Sequence, residues 1–292
     1  MSAQQLAIRA VEKPWGRRVL GLGFENPAPG GEPVGEIWFE APKAITGATA
    51  GGADLLIKYL FTSEKLSVQV HPDDAAARAR GHARGKEECW LVLDAEPGAQ
   101  IGIGLGAATT PERLRAAALD GSVEALLDWK AVAAGDFFYL PAGTIHAIGA
   151  GVTLLEVQQN SDITYRLYDY GRPRELHLED AVAVADPAPW QPLPAPGMVD
   201  EGREILAAGR VLVLERFAEG ASGRLTPEAG RPVWIIPFSG EGSIGRAPLE
   251  PGTVWLAEAE TALDFAGVLL LAYPGGLPLV APIVTPIITS GA

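Results

Sequence analysis

Three polar side chains alternate with apolar ones along Leu66-Ser67-Val68-Gln69-Val70-His71. Read as a strand, the segment puts Ser67, Gln69 and His71 on one face and Leu66, Val68 and Val70 on the other. Pro72 ends it directly after the imidazole. A hydroxyl, an amide and an imidazole converging on one spot suit a metal ion or a sugar; the bland alternative is a solvent-facing edge strand with a chance histidine. The chain has four histidines, His71, His82, His146 and His177, so any imidazole site draws on few residues. His146 follows the turn Leu140-Pro141-Ala142-Gly143-Thr144-Ile145, where one strand ends and the next begins, so it can point into a barrel mouth. His82 and His177 stand in charged surroundings and read as surface residues.

Zinc takes imidazole, carboxylate and occasionally amide oxygen, and a catalytic site keeps one position open. The carboxylate comes from Gly85-Lys86-Glu87-Glu88-Cys89-Trp90, where a strand starts. Glu88 shares parity with Trp90 and Val92, and Glu87 with Cys89 and Leu91. Adjacent strand residues face opposite sides, so one of the two joins the site, and periodicity does not decide which. A second polar run, Gln158 to Pro173, carries Arg166 inside an apolar and aromatic strand. A charge there is paired or faces a cleft, unless the guanidinium simply lies over tyrosine rings.

The elements that must position these groups are mostly short strands punctuated by Gly and Pro. Strands are expected at Glu36–Phe39, Leu55–Leu60, Leu66–Val70, Cys89–Leu93, Gln100–Ile103, Phe137–Leu140, Thr153–Gln158 and Ile163–Tyr168. Asp73–Arg80 reads as a helix with acidic residues in its first turn. Thr109–Leu127 reads as a longer helix, with Thr110 as cap, Pro111 in the first turn and an apolar stripe of Leu114, Ala117, Ala118, Ala125 and Leu126. Asp186–Pro196 is too rich in proline for either element. Beyond it, strands are expected at Ile205–Ala207, Val211–Phe217, Val233–Pro237, Val254–Ala257 and Val268–Ala272. Glu88–Leu93 resembles Pro232–Pro237, and Ala133–Gly143 resembles Leu249–Ala259, a hairpin rhythm of double-sheet barrels. The expectation is a mainly β chain: a double-stranded β-helix barrel, a second degenerate β unit and a few helices. Its parts are a metal-binding domain at 1–185 with a helical insertion near 109–128, a linker at 186–200 and a β domain at 201–292. The second unit has no histidine, so a metal would sit in the first.

At 292 residues the chain can bury a sizeable core without disulfides, and its single cysteine, Cys89, fits a reducing compartment. The N-terminus lacks the apolar run of a signal peptide and no segment reaches the ~20 apolar residues of a membrane span. The expectation is a cytoplasmic protein. A net charge of −13 argues against nucleic acid and anionic membrane as partners. It leaves room for an anionic small molecule held by a local cluster of Arg and Lys.

Six segments together resemble the type I mannose-6-phosphate isomerases in their short bacterial form, zinc-dependent members of the cupin superfamily. They are Lys13-Pro14-Trp15-Gly16, Gly35-Glu36-Ile37-Trp38, Leu66 to Asp74, Gly85 to Trp90, Pro141 to His146, and Gln159 to Asp169. The resemblance covers residues 8 to 175 well and is general beyond the proline linker. It implies that His71, Glu88 and His146 bind one Zn2+ per chain, with Gln69 as a fourth ligand, and it selects Glu88 over Glu87. It implies an essential catalytic Arg166, a Lys86 beside the metal carboxylate, and Ser67 and Arg172 at the sugar phosphate. The resemblance assigns no role to the apolar tail, Pro278–Ile288.

The implied reaction interconverts mannose 6-phosphate and fructose 6-phosphate by moving a proton between C1 and C2 of the opened sugar. Metal and Arg166 stabilise the negative oxygen. Lys86, its pKa lowered by zinc and burial, shuttles the proton, with Asp162 or a water on the metal as alternatives. The helix at Thr109–Leu127 walls the cleft. Two rivals stand beside this reading. A non-catalytic sugar-phosphate-binding cupin keeps the pocket without turnover. A metal-dependent cupin oxygenase is disfavoured by Gln69 where a histidine is usual. Oligomeric state is not legible.

Overall fold

The computed structural model describes residues 3–27, 30–42, 54–194, 197–200, 202–275 and the backbone of 284–285. The apolar tail falls almost wholly outside the described residues. The strands form three antiparallel sheets. One has six strands in the spatial order Ala7–Arg17, Val34–Glu40, Leu55–Phe61, Val152–Gln159, Glu88–Ala95, Phe137–Leu140. A second has five, in the order Tyr165–Tyr168, Val68–Val70, His146–Ile148, Gln100–Leu105, Leu127–Ala131. Between these two sheets lies a core to which the first contributes Leu60, Trp90, Val92 and Leu154, and the second Ile101, Ile103 and Ile148. This is the expected double-sheet barrel.

The third sheet follows the linker and covers the back of the six-stranded one. Ile57, Tyr59, Phe61, Leu91 and Val157 pack there against Leu214, Trp234, Leu256 and Leu270. Leu55–Phe61 is therefore buried on both faces along its whole length, which explains its near-continuous apolar sequence. The exception, Lys58, faces the barrel interior.

The internal repeat shows in the topology. In the barrel, Leu55–Phe61, Val152–Gln159, Glu88–Ala95 and Phe137–Leu140 are neighbours in that order. In the third sheet, Leu212–Phe217, Thr261–Pro274, Val233–Ile244 and Trp255–Ala257 take the same order. Ala3–Gln5, at the other end of the chain, pairs with Trp255–Ala257. Such a short polar strand carries no periodic signal of its own.

The long helix expected at Thr109–Leu127 is two. Thr110 caps Pro111–Asp120 by accepting from the Arg113 N–H at 3.2 Å. Gly121, at φ 82°, ends that helix in the left-handed conformation glycine favours, and a single turn, Val123–Leu126, follows. Leu114, Ala117, Ala118 and Val123 pack with Val68, Val70 and Leu167 on the outer side of the five-stranded sheet. The helices thus brace the barrel from outside; they do not wall the cleft. A further helix, Leu178–Val184, joins them there and was not expected from the sequence.

Residues 186–194 form neither helix nor strand and run over the barrel. The Asp186 N–H donates to Gly143 O at 2.8 Å, and Trp190 Nε1 donates to Tyr139 O at 3.1 Å. No helix among the described residues is long and apolar enough to cross a membrane.

Candidate active site

Strand register lines up the polar residues. In the five-stranded sheet Gln69 is opposite His146 on one side and Arg166 on the other. Directly opposed residues project from the same face, so these three stand in a row toward the barrel interior. In the six-stranded sheet, Trp38, Lys58, Glu156 and Trp90 are successive partners, and Gln158 pairs with Glu88. Glu88 therefore points inward with Trp90 and Val92. Glu87 points the other way, where its carboxylate accepts from Tyr139 Oη at 2.6 Å and from Arg210 Nη2 at 2.7 Å.

Two irregular segments deliver the key groups. Residues 84–87 are buried yet form no regular element. Asp74 Oδ1 accepts the Gly85 N–H at 2.9 Å, and Pro72 O accepts the Lys86 N–H at 3.0 Å. Gly85 lies so close to that backbone that a Cβ would come within 2.4 Å of Pro72 O. The turn before His146 uses Gly143 at φ 89°. Its N–H donates to the carbonyl of His71 itself at 2.8 Å, which ties the two histidine-bearing segments together.

His71, Glu88 and His146 are all buried, and one ligand atom from each lies within 4.8 Å of the others. Glu88 Oε1 is 3.4 Å from His146 Nε2 and 3.8 Å from His71 Nε2. The far ring nitrogens are committed: His71 Nδ1 lies 2.8 Å from Ile163 O and His146 Nδ1 lies 2.9 Å from Thr144 O. A carbonyl can only accept, so each Nδ1 carries its proton and each Nε2 presents a lone pair. Burial, with Lys86 and the neighbouring imidazole adding to it, drives the His71 pKa well below its ordinary value. Burial, with the Lys86 charge adding to it, takes His146 down to about 4, and both rings are neutral.

Glu88 Oε1 is buried without a hydrogen-bond partner, and burial pushes its carboxyl up to about 7 against the pull of Lys86. Two imidazole lone pairs and a carboxylate oxygen thus face one point. Two imidazole acceptors and a carboxylate gathered away from water, with Glu88 Oε1 left without a donor among the described residues, fit a divalent cation. Gln69 borders the same point. Its amide nitrogen is 3.3 Å from His146 Nε2, and Ser67 Oγ donates to its oxygen at 2.9 Å. Lys86 Nζ stands 2.6 Å from Glu88 Oε2 and 3.1 Å from His71 Nε2. Burial works to lower the Lys86 pKa, but Glu156 and Glu88 outweigh it and the net shift is upward. The sequence expectation of a lowered pKa had not counted Glu156.

Gln69 and Lys86, which touch the cluster, also line a cavity of about 220 Å³ that His71, Glu88 and His146 themselves do not line; around it stand five cationic side chains (Lys13, Lys58, Lys86, Arg166, Arg174) and three carboxylates (Glu36, Glu156, Asp162). The rings of Trp15, Trp38 and Trp90 line it too. In a chain of charge −13 this is a locally cationic spot. Arg166 Nε is buried with no hydrogen-bond partner, and burial together with the nearby Arg174 charge lowers its pKa. Arg174 is fixed by a two-pronged bond to Asp169, both contacts 2.6 Å. Two guanidinium groups thus face a space that favours an anion.

Ser67 lines this cavity and Arg172 does not. The Arg172 guanidinium turns to Lys65 O at 2.7 Å and Asp169 Oδ1 at 3.0 Å, tying together the two loops at the cleft mouth. Sequence reasoning missed Arg174, and it missed the inward lattice of Lys58, Glu156 and Glu36. Lys58 Nζ lies 3.3 Å from Glu156 Oε1 and 3.6 Å from Glu36 Oε2, and Trp90 Nε1 donates to Glu156 Oε2 at 3.0 Å. The signal was present: a lone charge in an otherwise apolar strand, the rule applied to Arg166, also marks Lys58 and Glu156. His177, read as surface, is half-buried. Its ring and peptide nitrogen both meet the Arg166 backbone, at 3.4 Å and 2.9 Å.

No protein-family model matches the chain. Over 160 residues, 53% of the chain, it is 43% identical to a mannose-6-phosphate isomerase of Streptococcus mutans, and the match covers 50% of that protein. Over 161 residues, 52% of the chain, it is 44% identical to a mannose-6-phosphate isomerase of Bacillus subtilis, again over 50% of the relative. The matched stretch is thus about half the length of these curated relatives. The crystal structure of a Bacillus subtilis mannose 6-phosphate isomerase superposes with a TM-score of 0.80 at 26% identity, covering 93% of this chain and 99% of that one. A Salmonella typhimurium phosphomannose isomerase variant shares the fold, with a TM-score of 0.73 at 17% identity, over 94% of this chain and 100% of that one. In sequence over about half its length, and in fold over nearly all of it, the chain resembles the mannose-6-phosphate isomerases.

Proposed function

We propose that the chain is an aldose–ketose isomerase that interconverts mannose 6-phosphate and fructose 6-phosphate, with one zinc ion held by His71, Glu88 and His146 and with the Gln69 amide, turned so that its oxygen faces the ion, completing the donor set. The observation that carries this reading is Glu88 Oε1, buried without a donor and facing two imidazole lone pairs. It lies behind Gln69 and Lys86, which line a cleft where Arg166 and Arg174 favour an anion. The names of the relatives support the choice of substrate. The chemistry belongs to residues 1–185; the histidine-free unit at 201–292 is a buttress.

A proton moves between C1 and C2 of the opened sugar, and negative charge gathers on the adjacent oxygens. His71, Glu88 and His146 would hold a divalent cation, which would supply Lewis-acid polarisation of those oxygens. Arg166, always charged, donates to the oxygen that gains charge. Arg174 holds the phosphate, with Ser67 Oγ hydrogen-bonding a sugar hydroxyl, and so confines a flexible open chain near the reacting carbons. Arg172 keeps the cleft mouth in shape through Asp169 and Lys65. Lys86 and Glu156 are the proton carriers. Burial would raise the Glu156 carboxyl, but Lys86, Lys58 and the Trp90 N–H hold it well below the ordinary range, so it is an ionised acceptor. Lys86, held protonated by the same carboxylate and Glu88, is a donor. Two groups whose surroundings push their pKa values apart form an acid–base pair.

The direct test is to incubate the purified chain with mannose 6-phosphate and detect fructose 6-phosphate with a coupled dehydrogenase. Steady production supports the reading. Saturable binding of the sugar phosphate with no product would turn it into the non-catalytic binding protein.

A further inference from the structure

Glu87 is held at every polar group it has. Its N–H donates to Gln159 Oε1 and its carbonyl accepts from Gln159 N, each at 2.9 Å. Tyr139 Oη donates to one carboxylate oxygen, and Arg210 Nε and Nη2 donate to the other at 3.0 and 2.7 Å. The carboxylate is 3% exposed, whereas the Arg210 side chain is 60% exposed. Arg210 comes from the other half of the molecule, in the turn between strands Arg203–Ala208 and Leu212–Phe217. Gly209 in that turn lies on the Tyr139 ring, where a Cβ would come within 2.0 Å of Cζ. The turn is seated against the barrel at the place where Glu87 emerges.

Glu87 and Glu88 are consecutive, and their side chains leave the strand on opposite faces. A shift that moves one carboxylate moves the other. We propose that Arg210 is a positioning residue: by closing on Glu87 from the C-terminal unit it fixes the start of strand Glu88–Ala95, and with it the places of Glu88 and Lys86. This rests on the reading of His71, Glu88 and His146 as a cation site. Without Arg210 a buried carboxylate is left with one hydroxyl donor, an imbalance relieved by backbone movement or by water entering beside Glu88. A site of this kind tolerates shifts of only about 0.5 Å. The C-terminal unit, which has no histidine, thereby gains a part in the chemistry beyond covering the sheet.

The experiment measures Zn2+ affinity of the full chain by competition with a chromogenic chelator, together with turnover of mannose 6-phosphate and the melting temperature. The variants are Arg210→Ala, Arg210→Lys, Glu87→Gln and the Arg210→Ala/Glu87→Gln pair. Arg210→Ala should weaken Zn2+ binding roughly 10- to 100-fold and lower kcat, with KM little changed, while Arg210→Lys restores part of both. In the Glu87→Gln background the Arg210 substitution should add little, because the contact it acts through is gone. Zn2+ affinity unchanged in Arg210→Ala, with or without a fall in melting temperature, would overturn the proposal and leave the cation site standing. A wild-type chain that binds no Zn2+ would sink the cation reading and this inference together.

Discussion

His146, on the five-stranded sheet, and Glu88, on the six-stranded sheet, meet with Nε2 3.4 Å from Oε1. Each is backed by its own layer: His146 by the Thr144 carbonyl behind its ring, Glu88 by the strand whose start is locked through Glu87. Replacing His146 with Ala removes one of three donors and leaves the carboxylate facing a void. The variant should lose bound zinc and isomerase activity together, as read by metal analysis and the coupled assay. Full activity without metal would refute the site.

Arg166→Ala keeps the three ligands and should keep the zinc content and the melting temperature within a few degrees. Turnover should fall by roughly 10²–10³-fold, the usual effect of losing one aligned donor to a developing oxyanion. Unchanged kcat would return the arginine to a packing role.

Arg174 and Arg172 share Asp169 but face different ways, and their variants should separate. Arg174→Ala should raise KM for mannose 6-phosphate by about 10- to 100-fold, the worth of a charge-assisted bond, and should have little effect on any residual turnover of unphosphorylated mannose. Arg172→Ala should act more weakly, through looser loops at residues 63–66 and 169–174, with a change in protease sensitivity there. A larger KM effect from Arg172 than from Arg174 would reverse the assignment.

Asp74 gives a pH dependence with a definite sign. Burial would raise its carboxyl, but hydrogen bonds from the Gly85 N–H and the Gln159 amide, with Arg78 nearby, hold it below the ordinary value. A carboxyl depressed in the folded state contributes stability above its unfolded pKa, near 3.9. That contribution fades as pH falls through the folded pKa. Asp74→Asn should therefore cost about 1 kcal/mol at neutral pH and flatten the acid limb of the melting curve. Superimposable melting temperatures for the two proteins from pH 7 down to pH 3 would contradict this.

The parts of the fold that repeat were legible in the sequence, and those fixed by a single distant contact were not. Alternation in Leu66–His71 separated the site-facing side from the apolar one, because one face of that strand is apolar and register cannot slip without exposing it. The choice between Glu87 and Glu88 needed pairing information, since both faces of that strand are buried. The direction of the Lys86 shift depends on Glu156, which the chain brings within 3.8 Å from a strand far away in sequence. Arg172 and Arg174 are two residues apart in an irregular loop, where no periodicity says which one turns inward. The break at Gly121 could have been read from the glycine; the pairing of Ala3–Gln5 with the C-terminal sheet could not.

Removing and restoring the metal tests the central claim most directly. Turnover of mannose 6-phosphate is measured on the purified chain, after treatment with a chelator, and again after stoichiometric Zn2+ is added back. The account predicts loss of activity with the metal and its return with one zinc per chain. Undiminished turnover in protein stripped of divalent metal would contradict it.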